Sequence, residues 1–399
     1  MRYGGSAFPI LRPQPDDLGH QKHTVNGTTP PGGTPTPEHS RILLVSAFFP
    51  LNTSKITPGE YDMWISNFLR TVKTDVYMYT PPEQAARIQG LRAAGATLHL
   101  DTNFSSIFEI PPLKDKEAMY TKIRIKDRER PRHSIESYAV LNAKPYFLQA
   151  AVSKLAKRGI NYDYAFWNDA TSFHREHAYE DWPSFDRVVR LWRDGVDATA
   201  TNQDDLLFVP TWDLPHRTLS YWHEGLGPVD TKFAETSFFG GPPTAIDWWA
   251  RTFYAYHDYF LSLELFVGKD QPLFNTLAML FSSRMITVWY NDPSAPAHVD
   301  LVKQKSRTPE QSFLGQCDSE WFYYQFFFAD KGTQEGMRQR WVAAASRWRW
   351  WGWWNSRDTE SCRDTRVLSM LGALRKRFGD TWNSPRTGVD VPRTVTWTV

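Results

Sequence analysis

The chain is 399 residues long, with 41% apolar residues, 23% charged residues and a formal charge of +2. This composition can bury a core and excludes global disorder, a nucleic-acid binder driven by bulk charge and, with two cysteines, a disulfide-dense scaffold. No run approaches the roughly 18–20 apolar residues of a membrane-spanning helix, and residues 1–10 lack the basic start and apolar stretch of a secretory signal. Aromatic residues stand out at 15%, with 18 Trp, so many flat faces are available for packing or for ring-shaped ligands.

Residues 1–40 hold seven Pro and six Gly and no apolar periodicity, which reads as a flexible leader. It is either an ordinary tail or a stalk below an anchor outside this sequence. Order starts at Arg41. The apolar, β-branched run 42–49 predicts a buried strand that stops at Pro50. A helix follows over about 59–72, with Trp64, Ile65, Phe68 and Leu69 on one face. Strands are predicted at 75–79 and 97–100, with a helix over 83–94 between them. Three strand–helix units in sixty residues imply a βαβ series and a Rossmann-like half-domain. Beyond it, the pattern predicts a long helix over 134–158, strands at 162–167, 206–209, 236–239 and 285–290, and helices over 243–264 and 271–283. The predicted fold class is α/β, a mostly parallel sheet flanked by helices. Its domain spans residues 41–330, and a helical, Trp- and Arg-rich extension over 331–399 packs on it.

Three motifs stand where this class of fold carries chemistry. Phe166-Trp167-Asn168-Asp169-Ala170 lies at the carboxyl end of a predicted strand, where open α/β sheets bind ligands. An Asp there can hold a divalent ion between phosphates, or can simply cap the next turn. Gly268-Lys269-Asp270-Gln271-Pro272 precedes a helix, so Asp270 reads as its N-cap, and equally as a carboxylate able to take a hydroxyl proton or orient a sugar. Phe238-Phe239-Gly240-Gly241 ends a strand, and its glycines suit a tight turn or the close approach of a ligand. No Walker A sequence is present, and no Gly-x-Gly-x-x-Gly follows the first strand, which counts against P-loop NTPases and NAD enzymes.

These motifs, in this order, resemble the HtrL/YibB-like family, whose members look like glycosyltransferases of the GT-A type. The resemblance covers about residues 41–295. It also rests on Val45-Ser46-Ala47-Phe48-Phe49, on Tyr61, Trp64 and Asn67-Phe68-Leu69, and on Asn142-Ala143-Lys144-Pro145. It implies a GT-A-like fold and the transfer of a sugar from a nucleotide-diphosphate sugar, UDP-sugar first, to a carbohydrate or other hydroxyl acceptor. The implied donor site contains Ser46, Phe48, Lys144, Asn168, Asp169, Gly240 and Gly241. Asp169 would be the ligand of a Mn²⁺ or Mg²⁺ ion, but the usual Asp-x-Asp is not intact, with Trp167 and Thr171 at the flanking positions, which leaves open a single protein carboxylate for the metal or metal independence. Asp270 and Gln271 would be catalytic. In an inverting enzyme Asp270 is the base, in a retaining one the pair holds the sugar, and the sequence leaves both open.

Trp222, His223 and Glu224 read as an acceptor-binding loop, with Trp222 a stacking platform and Glu224 a reserve base. His257, on a ring-rich helix, is either core or an acceptor contact. His174 and His177 would share a face if their segment were helical, and read as surface histidines. The segment 334–399 has 12 Lys and Arg against 6 Asp and Glu and contains eight Trp, chiefly in the stretch 348–354. Such a tail either packs on the domain or binds glycans or nucleic acid, which makes a non-catalytic binding protein the alternative function. Sequons at Asn26, Asn52 and Asn103, and a possible Cys317–Cys362 pair, fit a secretory or Golgi lumen if an anchor is present elsewhere, and otherwise the cytoplasm.

Overall fold

A computed structural model describes residues 42–51, 57–297, 320–349 and 362–397. The expected leader, Asn26, Asn52, Cys317 and the side chains of the 348–354 stretch lie outside the described residues.

The first strand, β1 (Ile42–Ala47), is buried almost throughout. Helix α1 (Pro58–Thr71) starts at a capping box, in which Thr57 accepts from the Glu60 amide and Glu60 from the Thr57 amide, with Pro58 at its first position. Strands β2 (Asp75–Tyr79) and β3 (Leu98–Asp101) follow, separated by the short helix α2 (Ala85–Leu91). Helices α3 (Glu117–Arg124) and α4 (Ile135–Lys157) lead to β4 (Tyr164–Asn168). Then come α5 (Phe185–Thr199), β5 (Leu207–Phe208), β6 (Phe238–Gly241), α6 (Pro243–Ser262), α7 (Asp270–Leu280) and β7 (Met285–Val288). The chain ends with α8 (Tyr323–Phe328), α9 (Lys331–Arg349), β8 (Val367–Ser369) and α10 (Met370–Phe378).

The strands form one eight-stranded sheet in the order β3-β2-β1-β4-β6-β5-β7-β8. The half β3-β2-β1-β4 is parallel, the βαβ series expected from the first hundred residues. Strand β6 runs antiparallel to both β4 and β5, β7 is parallel to β5, and β8 is antiparallel to β7. Alternate strand residues face two separate cores. Leu43, Val45, Ala165, Trp167 and Phe239 pack with α4, α6 and α7 on one face. Ile42, Leu44, Phe166, Phe208 and Phe238 pack with α1, α5 and α8 on the other. Burial on both faces explains why these strands read as near-continuous apolar runs.

The order places a switch point between β1 and β4, since the chain leaves β1 towards β2 on one side and returns to β4 on the other. Ligands of open α/β sheets bind beyond the strand carboxyl ends at such a crevice. The Ser46 hydroxyl ties the two ends together, donating to the Asn168 carbonyl at 2.7 Å. Because β6 is antiparallel, with Phe238 opposite Asn168, the residues just before β6 reach this same edge of the sheet.

Candidate active site

The site is built on α4, whose middle contains Pro145. Proline removes one helical amide and crowds the preceding turn. Tyr254 of α6 repairs the break: its hydroxyl donates to the Asn142 carbonyl at 2.8 Å and accepts from the Tyr146 amide at 3.3 Å, the pair that a regular helix joins directly. The residues flanking this repair hold the segment leading into α7. The Asn142 side-chain amide donates to the Val267 carbonyl at 2.7 Å and to the Tyr120 hydroxyl at 2.9 Å. Gly268 is required there, since a Cβ would lie 2.6 Å from the Phe266 ring and 2.9 Å from that of Tyr138.

Lys144, 3% exposed, carries the other grip. Its Nζ lies 3.1 Å from Asp169 Oδ1 and 2.9 Å from Asp270 Oδ2, and donates to the Thr236 carbonyl at 3.2 Å. One ammonium therefore joins the residue after β4 to the first residue of α7 and to the segment before β6. Burial works to lower the Lys144 pKa, but Asp169 and Asp270 outweigh it and hold the ammonium well above the usual lysine value. With its Nζ surrounded by these three oxygens, Lys144 is occupied within the protein and is not free to contact a ligand directly.

Asp169 is the open member of the group, its side chain 29% exposed. Burial raises its pKa, opposed by Lys144 and by the Trp167 indole, whose Nε1–H donates to Oδ1 at 2.6 Å. Its amide donates to the Ser237 carbonyl at 2.8 Å, which fixes the turn after β4. Asp270 is 3% exposed and occupies the first position of α7; Lys269 is the cap residue and no side chain caps the helix, so the N-cap expectation is corrected by one residue. Gln271 donates from Nε2 to the Ala234 carbonyl at 2.8 Å.

A fourth ionisable group escaped the sequence reading. Glu235 is 8% exposed, accepts from the Ser237 amide at 2.9 Å, and is pushed up to about 7 by burial, with Asp169 adding to the rise and Ser237 and Lys144 opposing it. Its one signal was a solitary acid in the apolar stretch Phe233-Ala234-Glu235 just before β6. Trp167 was noted only for interrupting Asp-x-Asp, whereas here it orients the remaining Asp.

Other expected site residues fall elsewhere. Gly240 and Gly241 are buried in β6 opposite Phe166 and Ala165. A Cβ at Gly240 would lie 2.1 Å from the Ala165 carbonyl oxygen and one at Gly241 2.8 Å from that of Leu206, so the pair permits close strand packing and does not face a donor. Ser46 and Asn168 are buried and brace the end of β4; the Asn168 amide donates to the Asp169 carbonyl and its oxygen accepts from Ser172. Phe48, 8% exposed, packs against Tyr61 beneath Arg87. Trp222 is buried with Nε1 bonded to the Gly227 carbonyl, which removes it as a stacking platform. Glu224 accepts from the Tyr256 hydroxyl and from the Gly388 amide, while His223 is exposed.

His257 is fully buried between Tyr120 and Asp258 and belongs to the core, not to an acceptor surface. Residues 169–184 are not helical. His174 stacks on Trp64 at 4.0 Å, and His177 is buried against Phe173 and pushed down to about 4 by that burial, so neither is a surface histidine.

Among the described residues, no group of three or more His, Cys, Asp and Glu is arranged to hold a metal by itself. A divalent ion bound mainly by phosphate oxygens needs only one or two carboxylates, and Asp169 is the site carboxylate that solvent reaches. Again among the described residues, no helix is long and apolar enough to cross a membrane.

No family model matches the chain, so the HtrL/YibB-like assignment has none behind it. No curated protein matches it significantly. Among solved structures, the chain is similar to core-mannan synthase A from Aspergillus fumigatus in its Mn/GDP form, with 12% identity over 74% of this chain and 84% of that one and a TM-score of 0.36. It is also similar to CMP:2-keto-3-deoxy-manno-octonic acid synthetase complexed with CTP, with 9% identity over 66% of this chain and 98% of that one and a TM-score of 0.25. At these scores neither likeness bears on what this chain does, and the site is judged on its own geometry.

Proposed function

We propose that the chain is a glycosyltransferase that moves a sugar from a nucleotide-diphosphate sugar to a hydroxyl of a carbohydrate acceptor. The observation that carries this reading is the Asp169–Lys144–Asp270 bridge at the β1/β4 switch point. It places two carboxylates within about 6 Å of each other where an α/β sheet receives a ligand. Asp169 faces the departing diphosphate. A divalent ion arriving with that diphosphate would be held by Asp169 and would supply counter-charge to the leaving group. Lys144 keeps Asp169 ionised against its burial and fixes its distance from Asp270.

Half-buried Gln271 faces the transferred sugar from the first turn of α7, and Asp270, buried against Lys144 beside it, holds that turn in place. Glu235, buried beside them and bonded to the Ser237 amide, adds a further acid to the cluster. UDP-sugars are the first donors to test and GDP-sugars the second. A secretory lumen fits the exposed sequon residue Asn103.

Calorimetric titration with UDP- and GDP-sugars, with and without Mn²⁺, tests the proposal. At least one nucleotide sugar should bind, with affinity lowered tenfold or more in Asp169→Ala. Absence of binding by every nucleotide sugar, or an unaffected Asp169→Ala variant, would overturn it.

A further inference from the structure

A groove of about 360 Å³, within the size range of small-molecule sites, is lined in part by Lys269, the neighbour of Asp270 in the chain. Two segments that carry site residues form its walls. Lys269 and Pro272, which line it, bracket Asp270 and Gln271 in the first turn of α7. Asp230, also in the lining, precedes Glu235 by five residues, and this stretch is fastened to α7, with Asn275 donating to the Val229 and Thr231 carbonyls. The third wall is the loop 126–129.

The lining does not suit an anion. Lys126, Arg128 and Lys269 are matched by Asp127, Glu129 and Asp230, so the groove has no net charge to attract a diphosphate. Charged side chains, among them the paired Lys269 and Glu129, line it together with apolar surface from Leu226, which is 65% exposed, and Phe266. The walls are braced: buried Asp127 accepts from the Tyr138 hydroxyl at 2.6 Å and from the Glu129 amide at 2.8 Å, and pairs with His133 at 2.9 Å. Phe266 packs edge-on against Tyr138. Charged groups of both signs beside apolar faces are the chemistry that recognises a neutral polyhydroxyl ring, whose hydroxyls donate and accept while its C–H face stays apolar.

We propose that this groove is the acceptor subsite and binds a neutral sugar, an inference that rests on the transferase reading above. The acceptor surface then lies a few residues beyond the 222–224 loop expected to form it, at 226–230, and is shared with the first turn of α7.

Saturation-transfer NMR on the full chain tests this with methyl α-D-mannopyranoside, methyl β-D-galactopyranoside and methyl N-acetyl-β-D-glucosaminide. At least one glycoside should bind, and Asp230→Ala and Arg128→Ala, both exposed positions, should each weaken it about tenfold, the loss of a hydrogen bond to a charged group. Asp169→Ala should leave glycoside binding intact. No binding by any of the three, or unchanged binding in both groove variants, overturns the subsite. If a glycoside binds as expected while every nucleotide sugar fails, the subsite stands and the transferase reading falls.

Discussion

Lys144 and Asp270 meet at 2.9 Å with their side chains 3% and 4% exposed. A buried ion pair contributes little beyond what apolar residues in its place would, but removing one partner strands the other in a medium that cannot solvate it. Asp169 leans on the same ammonium, but its side chain is 29% exposed, so Asp270 is the charge left stranded.

Lys144→Met should therefore cost about 3–5 kcal/mol in urea unfolding at neutral pH. Lys144→Met combined with Asp270→Asn should cost clearly less than the sum of the two single changes, since the two sites share one interaction. Strict additivity would mean that the bridge contributes nothing in solution.

Trp167→Phe keeps a ring on β4 but deletes the indole N–H that donates to Asp169. A hydrogen bond to a charged group contributes about 1.5–3 kcal/mol, so nucleotide-sugar affinity should fall about tenfold. Thermal stability should change far less than in Lys144→Met. Calorimetry reads the first and a melting curve the second; unchanged affinity would show that Trp167 does not orient Asp169.

Glu235 makes stability depend on pH in a known direction. Its native pKa of about 7 lies above the ordinary glutamate value of 4.5, so between these values the folded chain binds more protons than the unfolded one. Stability should consequently fall as pH rises from about 4.5 and level off above about 7, the loss from this residue reaching about 3 kcal/mol. Glu235→Gln should flatten that slope and be the more stable protein at pH 8. Denaturant titrations of both chains at pH 5 and pH 8 decide it; parallel behaviour would refute the assignment.

Tyr254→Phe removes the hydroxyl that bridges the Asn142 carbonyl and the Tyr146 amide beside Pro145. Leaving those buried groups unsatisfied should cost about 1–3 kcal/mol. Amide exchange should show the loss concentrated around residues 142–146. If exchange there is unaltered, the helix closes over Pro145 without the tyrosine.

The parallel half of the sheet was legible because strands buried on both faces leave unbroken apolar runs, and because Pro50, Pro81 and Pro82 punctuate them. Asp169, Lys144 and Asp270 were legible one at a time, as a strand-end acid, a helix lysine and a helix-start acid. Their convergence was not, since it depends on α4 and α7 meeting across 126 positions of sequence. The exposure of Trp222, the role of Gly240 and the neutral-range titration of Glu235 are set by neighbours distant in the chain. Residue type alone carries no record of them. Gly240 shows the ambiguity most clearly: the same absence of a Cβ serves a ligand or a carbonyl, and only the 2.1 Å that would separate a Cβ from the Ala165 carbonyl oxygen tells which.

Strand β8 comes from residues 367–369 and hydrogen-bonds along β7. This edge of the sheet is therefore covered only once residues 367–369 have been made, and until then β7 presents a bare row of amides and carbonyls of the kind that recruits foreign strands. A nonsense codon between positions 289 and 366 would thus leave β7 and every residue of the Asp169 cluster encoded, yet yield a polypeptide prone to self-association.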